Sequence, residues 1–190
     1  MQKYSKTFGR LGNQMFQGAY ILAQFGRKEI PDIYLQDEKH FKDFERAIKI
    51  LYGFGIYANK RDYVSIHVRR TDYAGNSFYV DLMNTDYYQK AMDMFPNEKF
   101  MVFSDDIEWC KKQDIFKDCL FSEKKDEVQD MNEMAMAKHN IIANSSYSWW
   151  AAYLNPNENK KVIAPSIKNL WYTDKIIRTN VPKEWIQIEC

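Results

Sequence analysis

Cysteine is scarce in this 190-residue chain, and its three positions, Cys110, Cys119 and Cys190, are odd in number and show no CxxC spacing. That argues against a disulfide framework and against a zinc site, and it favours a reducing compartment. Charge of one sign is lacking too: 27 Lys and Arg stand against 26 Asp and Glu, a net charge of +1. A nucleic-acid partner needs a basic face, and none is evident; any basic site must be local. No run approaches the ~20 apolar residues of a membrane span, and the amino terminus shows no apolar segment of the kind a signal peptide carries. The expectation is a cytoplasmic protein, associated with a membrane at most peripherally, at its inner face. No internal repeat or low-complexity tract appears. What is plentiful is aromatic residues, 16% of the chain, which fits a Tyr- and Phe-rich core and equally a sugar-facing surface. The length suits one ordinary domain, or one full domain with a small appendage.

From Val64 onward short β-like runs alternate with helical patterns. The strands expected are Val64–Val68, Phe100–Phe103, Cys119–Phe121, Ile141–Ala143 and Val162–Ala164. Between them, Thr85-Asp86 caps a helix carrying Tyr87, Tyr88, Ala91, Met92 and Phe95, and Ser104-Asp105-Asp106 caps a short one with Ile107, Trp109 and Cys110. A third helix puts Val128, Met131, Met134 and Ala135 on one stripe, and Ser145 or Ser146 caps a fourth that runs through Leu154. This alternation predicts an α/β fold with a doubly wound, mostly parallel sheet. Residues 1–62 read differently, as a reduced, mainly helical region ahead of the α/β unit of residues 63–190. Gly9 and Gly12 lead into a helix through Phe25 with Gly26 as its stop. A second helix, Asp37 to Tyr52, carries Phe41, Phe44, Ile48 and Leu51 on one stripe, and one weak strand lies near Tyr4–Phe8.

Ligands in such sheets sit at the carboxyl ends of the strands, and two motifs lie there. Arg69 and Arg70 follow the Val64–Val68 run, so at least one guanidinium emerges where its planar fork can meet phosphate oxygens; an ion pair with Asp72 or a nearby carboxylate explains the dipeptide equally well. His67 shares a strand face with Arg69, opposite Ile66 and Val68. Asn144, Ser145 and Ser146 follow the Ile141–Ala143 run at a helix start, where backbone amides and the helix dipole favour an anion, although serine capping alone accounts for them. Gly12, Asn13 and Gln14 could bring backbone close to a pyrophosphate or sugar, with a simple turn as the plainer explanation. Asp105 and Asp106 look like a metal pair, yet capping suffices and no metal is expected. Helical rotation cannot place Trp149 and Trp150 on one buried face, which leaves one of them free to border the cleft, although core packing of both outweighs sugar stacking. Taken together, the two strand-end motifs point to a diphosphate and hence to a nucleotide-sugar enzyme.

With these residues quoted, the chain resembles the bacterial α-1,2-fucosyltransferases of glycosyltransferase family 11. Four segments carry the likeness: Gly9-Arg10-Leu11-Gly12-Asn13-Gln14-Met15-Phe16-Gln17, His67-Val68-Arg69-Arg70-Thr71-Asp72-Tyr73, Phe103-Ser104-Asp105-Asp106, and the stretch from Lys138 through Asn144-Ser145-Ser146-Tyr147-Ser148 to Trp150. The resemblance implies the donor half of a GT-B enzyme, with residues 63–190 as its Rossmann-like nucleotide-sugar-binding domain. It implies inverting transfer of L-fucose from GDP-β-L-fucose to the 2-hydroxyl of a terminal galactose on a glycan, without a metal or other cofactor. By the same resemblance Arg69 binds the β-phosphate, His67 lines that site, Ser145 and Ser146 donate to the diphosphate, and Asp130 reads the guanine edge. Gly12, Asn13, Gln14, Arg70, Asn144 and Ser148 complete the candidate binding set; Asp72 and, behind it, His67 are the candidate bases, and the sequence does not identify which group takes the proton. Against the family pattern, Arg27-Lys28-Glu29-Ile30-Pro31 bridges directly to Tyr34-Leu35-Gln36, so the acceptor-holding amino-terminal domain is shortened. The alternative is therefore a catalytically silent remnant that binds a GDP-sugar or a partner protein. Self-association stays open, because a shortened region can leave apolar surface uncovered.

Overall fold

The structure, a computed structural model, describes residues 9–23, 37–53, 60–123, 126–166 and 181–189. Strand β1 (Val64–Val68) is buried along its whole length, as expected of a central strand covered on both faces. Around it lie β2 (Phe100–Ser104), β3 (Leu120–Phe121), β4 (His139–Ile141), β5 (Val162–Pro165) and β6 (Ile186–Ile188). They form one six-stranded sheet in the order β3-β2-β1-β4-β5-β6, and every neighbouring pair is parallel. The chain thus builds outward from β1 to β3, then returns to the other side of β1 and builds outward again. Connections leave β1 and β4 in opposite directions, which opens a crevice between their carboxyl ends.

Alternation along β1 divides the molecule into layers. Val64, Ile66 and Val68 face a cluster built on α3 (Tyr87–Asp93), with Tyr87, Tyr88, Ala91, Phe95 and Phe116. The opposite face of the sheet carries α5 (Glu127–Ala135) and α6 (Ser146–Leu154), over which α1 (Leu11–Ala23) and α2 (Glu45–Tyr52) pack in one continuous core. Phe16 of α1 sits 4.6 Å from the Trp149 ring and 4.9 Å from the Trp150 ring, and Phe41 stacks on Trp150 at 5.4 Å. Both tryptophans are fully buried, as core packing predicts, because α6 is covered by the sheet on one side and by α1 on the other. Removing either indole would cost about 3–5 kcal/mol. No helix among the described residues is long and apolar enough to cross a membrane.

Several boundaries differ from the sequence reading. The 37–52 segment is not one helix: Asp37 caps a single 3-10 turn (Glu38–His40) by accepting from the Lys39 amide, Phe41 leaves helical geometry at φ −145°, and a second 3-10 turn precedes α2. Phe41 and Ile48 are buried from the expected stripe, while Leu51 faces solvent. Strand β4 begins two residues earlier than expected; Ile142 and Ala143, read as strand, are buried beyond its last residue. Strand β6 was not anticipated. The expected strand near Tyr4–Phe8 and the helix stop at Gly26 lie outside the described residues.

Candidate functional site

A cleft of about 280 Å³ occupies the crevice at the carboxyl ends of β1 and β4. Five segments build it: the turn into α1, the end of β1 with the loop after it, the end of β2, the first turns of α5, and the tip of α6. Gly12, Asn13, His67, Arg69, Asp72, Asp130, Ser145 and Ser146 all line it. Gln14, Arg70, Asn144 and Ser148 do not.

Arg69 is the central charge. Its side chain is only 9% exposed and lies between two carboxylates, with Nη2 2.7 Å from Asp72 and Nη1 2.8 Å from Asp105. The paired-arginine explanation and the cleft-lining one therefore hold together. Arg70 takes the opposite direction, as strand alternation requires: it pairs with Asp81 at 2.7 Å and its guanidinium lies 3.7 Å from the centre of the Trp109 ring. Arg70 thereby fastens the loop after β1 to the loop that carries Asp81.

Asp105 is the residue that sequence reasoning passed over. The two aspartates after β2 diverge: Asp106 caps helix α4 (Ile107–Cys110) by accepting from the Trp109 amide. Asp105 turns back across the cleft, where it accepts from Thr71 Oγ1 at 2.6 Å and from the Arg70 amide at 2.9 Å besides pairing with Arg69. Burial pushes its carboxyl up, but the Thr71 hydrogen bond, the Arg69 charge and the Arg70 amide together outweigh burial and hold it below the usual carboxylate range. The available signal was that one cap needs one aspartate, which leaves the second to be explained.

His67 is 3% exposed and lines the cleft beside the Tyr147 ring, 5.4 Å away. Burial first, then the Arg69 charge, drives its pKa well below the ordinary value of 6.5, so the imidazole is neutral at physiological pH. Among the described residues its Nδ1 has no hydrogen-bond partner. A buried polar atom left unsatisfied costs free energy, and a ligand in the cleft would supply what is missing.

The tips of α1 and α6 meet on the other wall. Gly9 turns the chain at φ +82°, and its carbonyl accepts from Gln14 Nε2. A side chain at Gly12 would place its Cβ 2.6 Å from the Ser146 carbonyl carbon and the Tyr147 nitrogen, so only glycine allows this approach. Trp150 Nε1 donates to the Gly12 carbonyl and Ser146 Oγ to Asn13 Oδ1, both at 3.0 Å. Ser145 caps α6, accepting from the Tyr147 amide. Two helix starts, whose first amides lack intrahelical acceptors, thus border one cleft and favour negative charge in it. Ser148 stays inside, exchanging hydrogen bonds with Ala143 and Ser145, and Asn144 Nδ2 donates to the Val80 carbonyl. These two residues shape the wall from behind.

Asp130, in the first turn of α5, accepts from Ser122 Oγ. Tyr73, Tyr79 and Phe78 form an aromatic rim; Tyr73 and Tyr79 stack at 3.9 Å, and the Tyr73 hydroxyl donates to the Asn144 carbonyl. Among the described residues no group of three or more His, Cys, Asp or Glu is placed to hold a metal ion.

The family model described as Glycosyl transferase family 11 matches residues 32–189. The chain belongs to that family. Over 145 residues it is 38% identical to an alpha-1,2-colitosyltransferase of Escherichia coli, which covers 66% of this chain and 47% of that protein. It is also 38% identical over 112 residues to the O-antigen biosynthesis glycosyltransferase WbnK of Escherichia coli, covering 53% of the chain and 37% of the relative. A galactoside alpha-(1,2)-fucosyltransferase 1 of Saimiri sciureus is 32% identical over 109 residues, 51% of the chain and 30% of the relative. The matches thus span less than half the length of each of these curated relatives.

Proposed function

We propose that this family 11 chain carries the donor site of a GT-B α-1,2-fucosyltransferase, which moves L-fucose from GDP-fucose to the 2-hydroxyl of a terminal galactose with inversion and without a metal. The observation that carries this reading is the presence of the Arg69 guanidinium and the tips of α1 and α6 on one cleft at the switch point. In this reading residues 63–190 bind the nucleotide sugar, and Gly12 and Asn13 of the preceding region close the site from above. The enzyme works in the cytoplasm or against the inner face of the membrane.

Transfer requires the acceptor oxygen to bond to C1 of fucose while the bond from C1 to the β-phosphate oxygen breaks. The bonding pair leaves with GDP, and the acceptor proton passes to a base. Arg69 holds the β-phosphate as its negative charge grows, and the α6 tip with Ser145 and Ser146 holds the rest of the diphosphate. Fixed donors of this kind supply the stabilisation that a metal would otherwise give. His67, neutral and unsatisfied at Nδ1, makes a hydrogen bond to the bound donor; Asp130 reads the guanine edge. In this reading Asp72, whose half-exposed carboxylate lines the cleft, takes the proton.

Calorimetry with GDP and GDP-fucose, followed by GDP release over a panel of galactosides, tests the proposal. Binding together with galactoside-dependent release is the expected result. Binding without release over the whole panel would instead identify a silent donor-binding remnant, and an absence of GDP binding would overturn both.

A further inference from the structure

We propose that Asp72 stands in for the donor's phosphate: it holds one edge of the Arg69 guanidinium, and the diphosphate displaces it while Asp105 keeps the other edge. The inference rests on the diphosphate reading of the cleft. Both carboxylates approach Arg69 at almost the same distance, 2.7 Å for Asp72 and 2.8 Å for Asp105. Their surroundings differ. The Asp105 side chain is 13% exposed and is held by Thr71 Oγ1 and the Arg70 amide as well. The Asp72 side chain is 49% exposed, and among the described residues its carboxylate makes one ion pair. Moving Asp105 would strand a largely buried carboxylate and break its contacts with Arg69, Thr71 and the Arg70 amide, whereas moving Asp72 gives up a half-exposed pair and returns the carboxylate to water.

The charges support the same exchange. The cleft is lined by Arg10 and Arg69 on the basic side and by Asp72, Asp105, Glu127 and Asp130 on the acidic side. With Asp72 and Asp105 both paired to Arg69, its guanidinium has no edge open to an anion. Swinging Asp72 away frees the Nη2 edge, and a phosphate offers that edge more charge and better matched oxygens than one carboxylate does. Asp105 is then a positioning residue that keeps the guanidinium aimed before and after the exchange. The released Asp72 carboxylate becomes able to accept a proton only once the donor is bound, which couples the base to donor occupancy and makes donor binding precede acceptor activation.

The test is GDP affinity by calorimetry for wild type, Asp72→Asn, Asp105→Asn, Arg69→Ala and the Arg69→Ala/Asp72→Asn double variant. Removing the competitor should tighten binding about fivefold at low salt, with the gain shrinking as ionic strength rises. Asp105→Asn should weaken binding at least about tenfold, and Asp72→Asn should give no gain on the Arg69→Ala background. If wild type binds GDP through Arg69 but Asp72→Asn binds equally or more weakly, the exchange is wrong and the diphosphate reading stands. Equal binding by wild type and Arg69→Ala removes that reading, and the exchange with it. Should Asp105→Asn fail to fold, the two Asp72 variants decide the matter.

Discussion

At the carboxyl ends of the strands lies the cleft of about 280 Å³; at their amino ends, between residues 60–62, Lys138 and residues 155–157, lies a second cavity of about 350 Å³. Both contain basic side chains, and the two are of similar size. There Arg61 makes a two-point pair with Glu133, at 2.8 and 2.6 Å, and Lys138 pairs with Glu98 at 2.6 Å, with all these groups partly exposed. The carboxyl-end cleft instead buries its arginine between two carboxylates, leaves a neutral histidine unsatisfied, and brings two helix tips together. Volume does not separate the two ends. Buried charge with an unmet hydrogen bond, at the point where strand order reverses, does.

Substitutions can break this contrast, and the largest effect should come from Arg69. Arg69→Ala is expected to abolish transfer and weaken GDP binding at least about 100-fold, near 3 kcal/mol. Undiminished binding by calorimetry would move the site elsewhere. Next comes Gly12→Ala, whose Cβ would meet the backbone of Ser146 and Tyr147 at 2.6 Å. Separating the two helix tips should cost about 1–3 kcal/mol in urea unfolding and lower GDP affinity about tenfold. Native-like stability and affinity would show that the tips need not touch.

Acidification sharpens the comparison further. His67 has its folded pKa depressed below 6.5 by burial, so below that pH the unfolded chain binds a proton that the folded one refuses. Its contribution to stability is present above pH 6.5 and is lost as pH falls, at about 1.4 kcal/mol per pH unit. His67→Gln should remove that part of the slope in unfolding curves between pH 6.5 and 4.5; an unchanged slope would mean the imidazole is charged in the fold. Asp105, also depressed, adds its own loss only below about 3.8, so it does not confuse the window. The smallest effect belongs to the amino end: Arg61→Ala should cost about 0.5 kcal/mol, as exposed pairs do, and leave GDP affinity unchanged. Lost GDP binding in that variant would put the ligand at the wrong end of the sheet.

The inner strands were legible because they are largely buried on both faces and read as apolar runs. Even so, hydrophobicity reports burial rather than pairing, which is why Ala143 looked like strand although β4 runs from His139 to Ile141 and its last ladder bond is the Ile142 amide to the Ile163 carbonyl. Strand β6 was not legible: it has three residues at the sheet edge, and two of them are exposed. In the 37–52 segment the apolar spacing suggested a helix, but the Asp37 cap and the Phe41 backbone break it into short turns. Of the cleft, the sequence shows what one strand end supplies. His67, Arg69, Ser145 and Ser146 were readable from position alone, whereas the Asp105 clamp, the Tyr73–Tyr79 rim and the Gly12–Ser146 contact depend on distant segments meeting. Arg70 shows the converse, since its neighbour's chemistry attached to it in the sequence while alternation sends it to Asp81.

The most direct test of the central claim is a crystal of this chain soaked with GDP. The account predicts one diphosphate within hydrogen-bond distance of both the Arg69 guanidinium and the first turn of α6, with Asp72 turned away and Asp105 still in place. Phosphates bound apart from Arg69, or a nucleotide seated in the cavity beside Arg61 and Lys138, would contradict it.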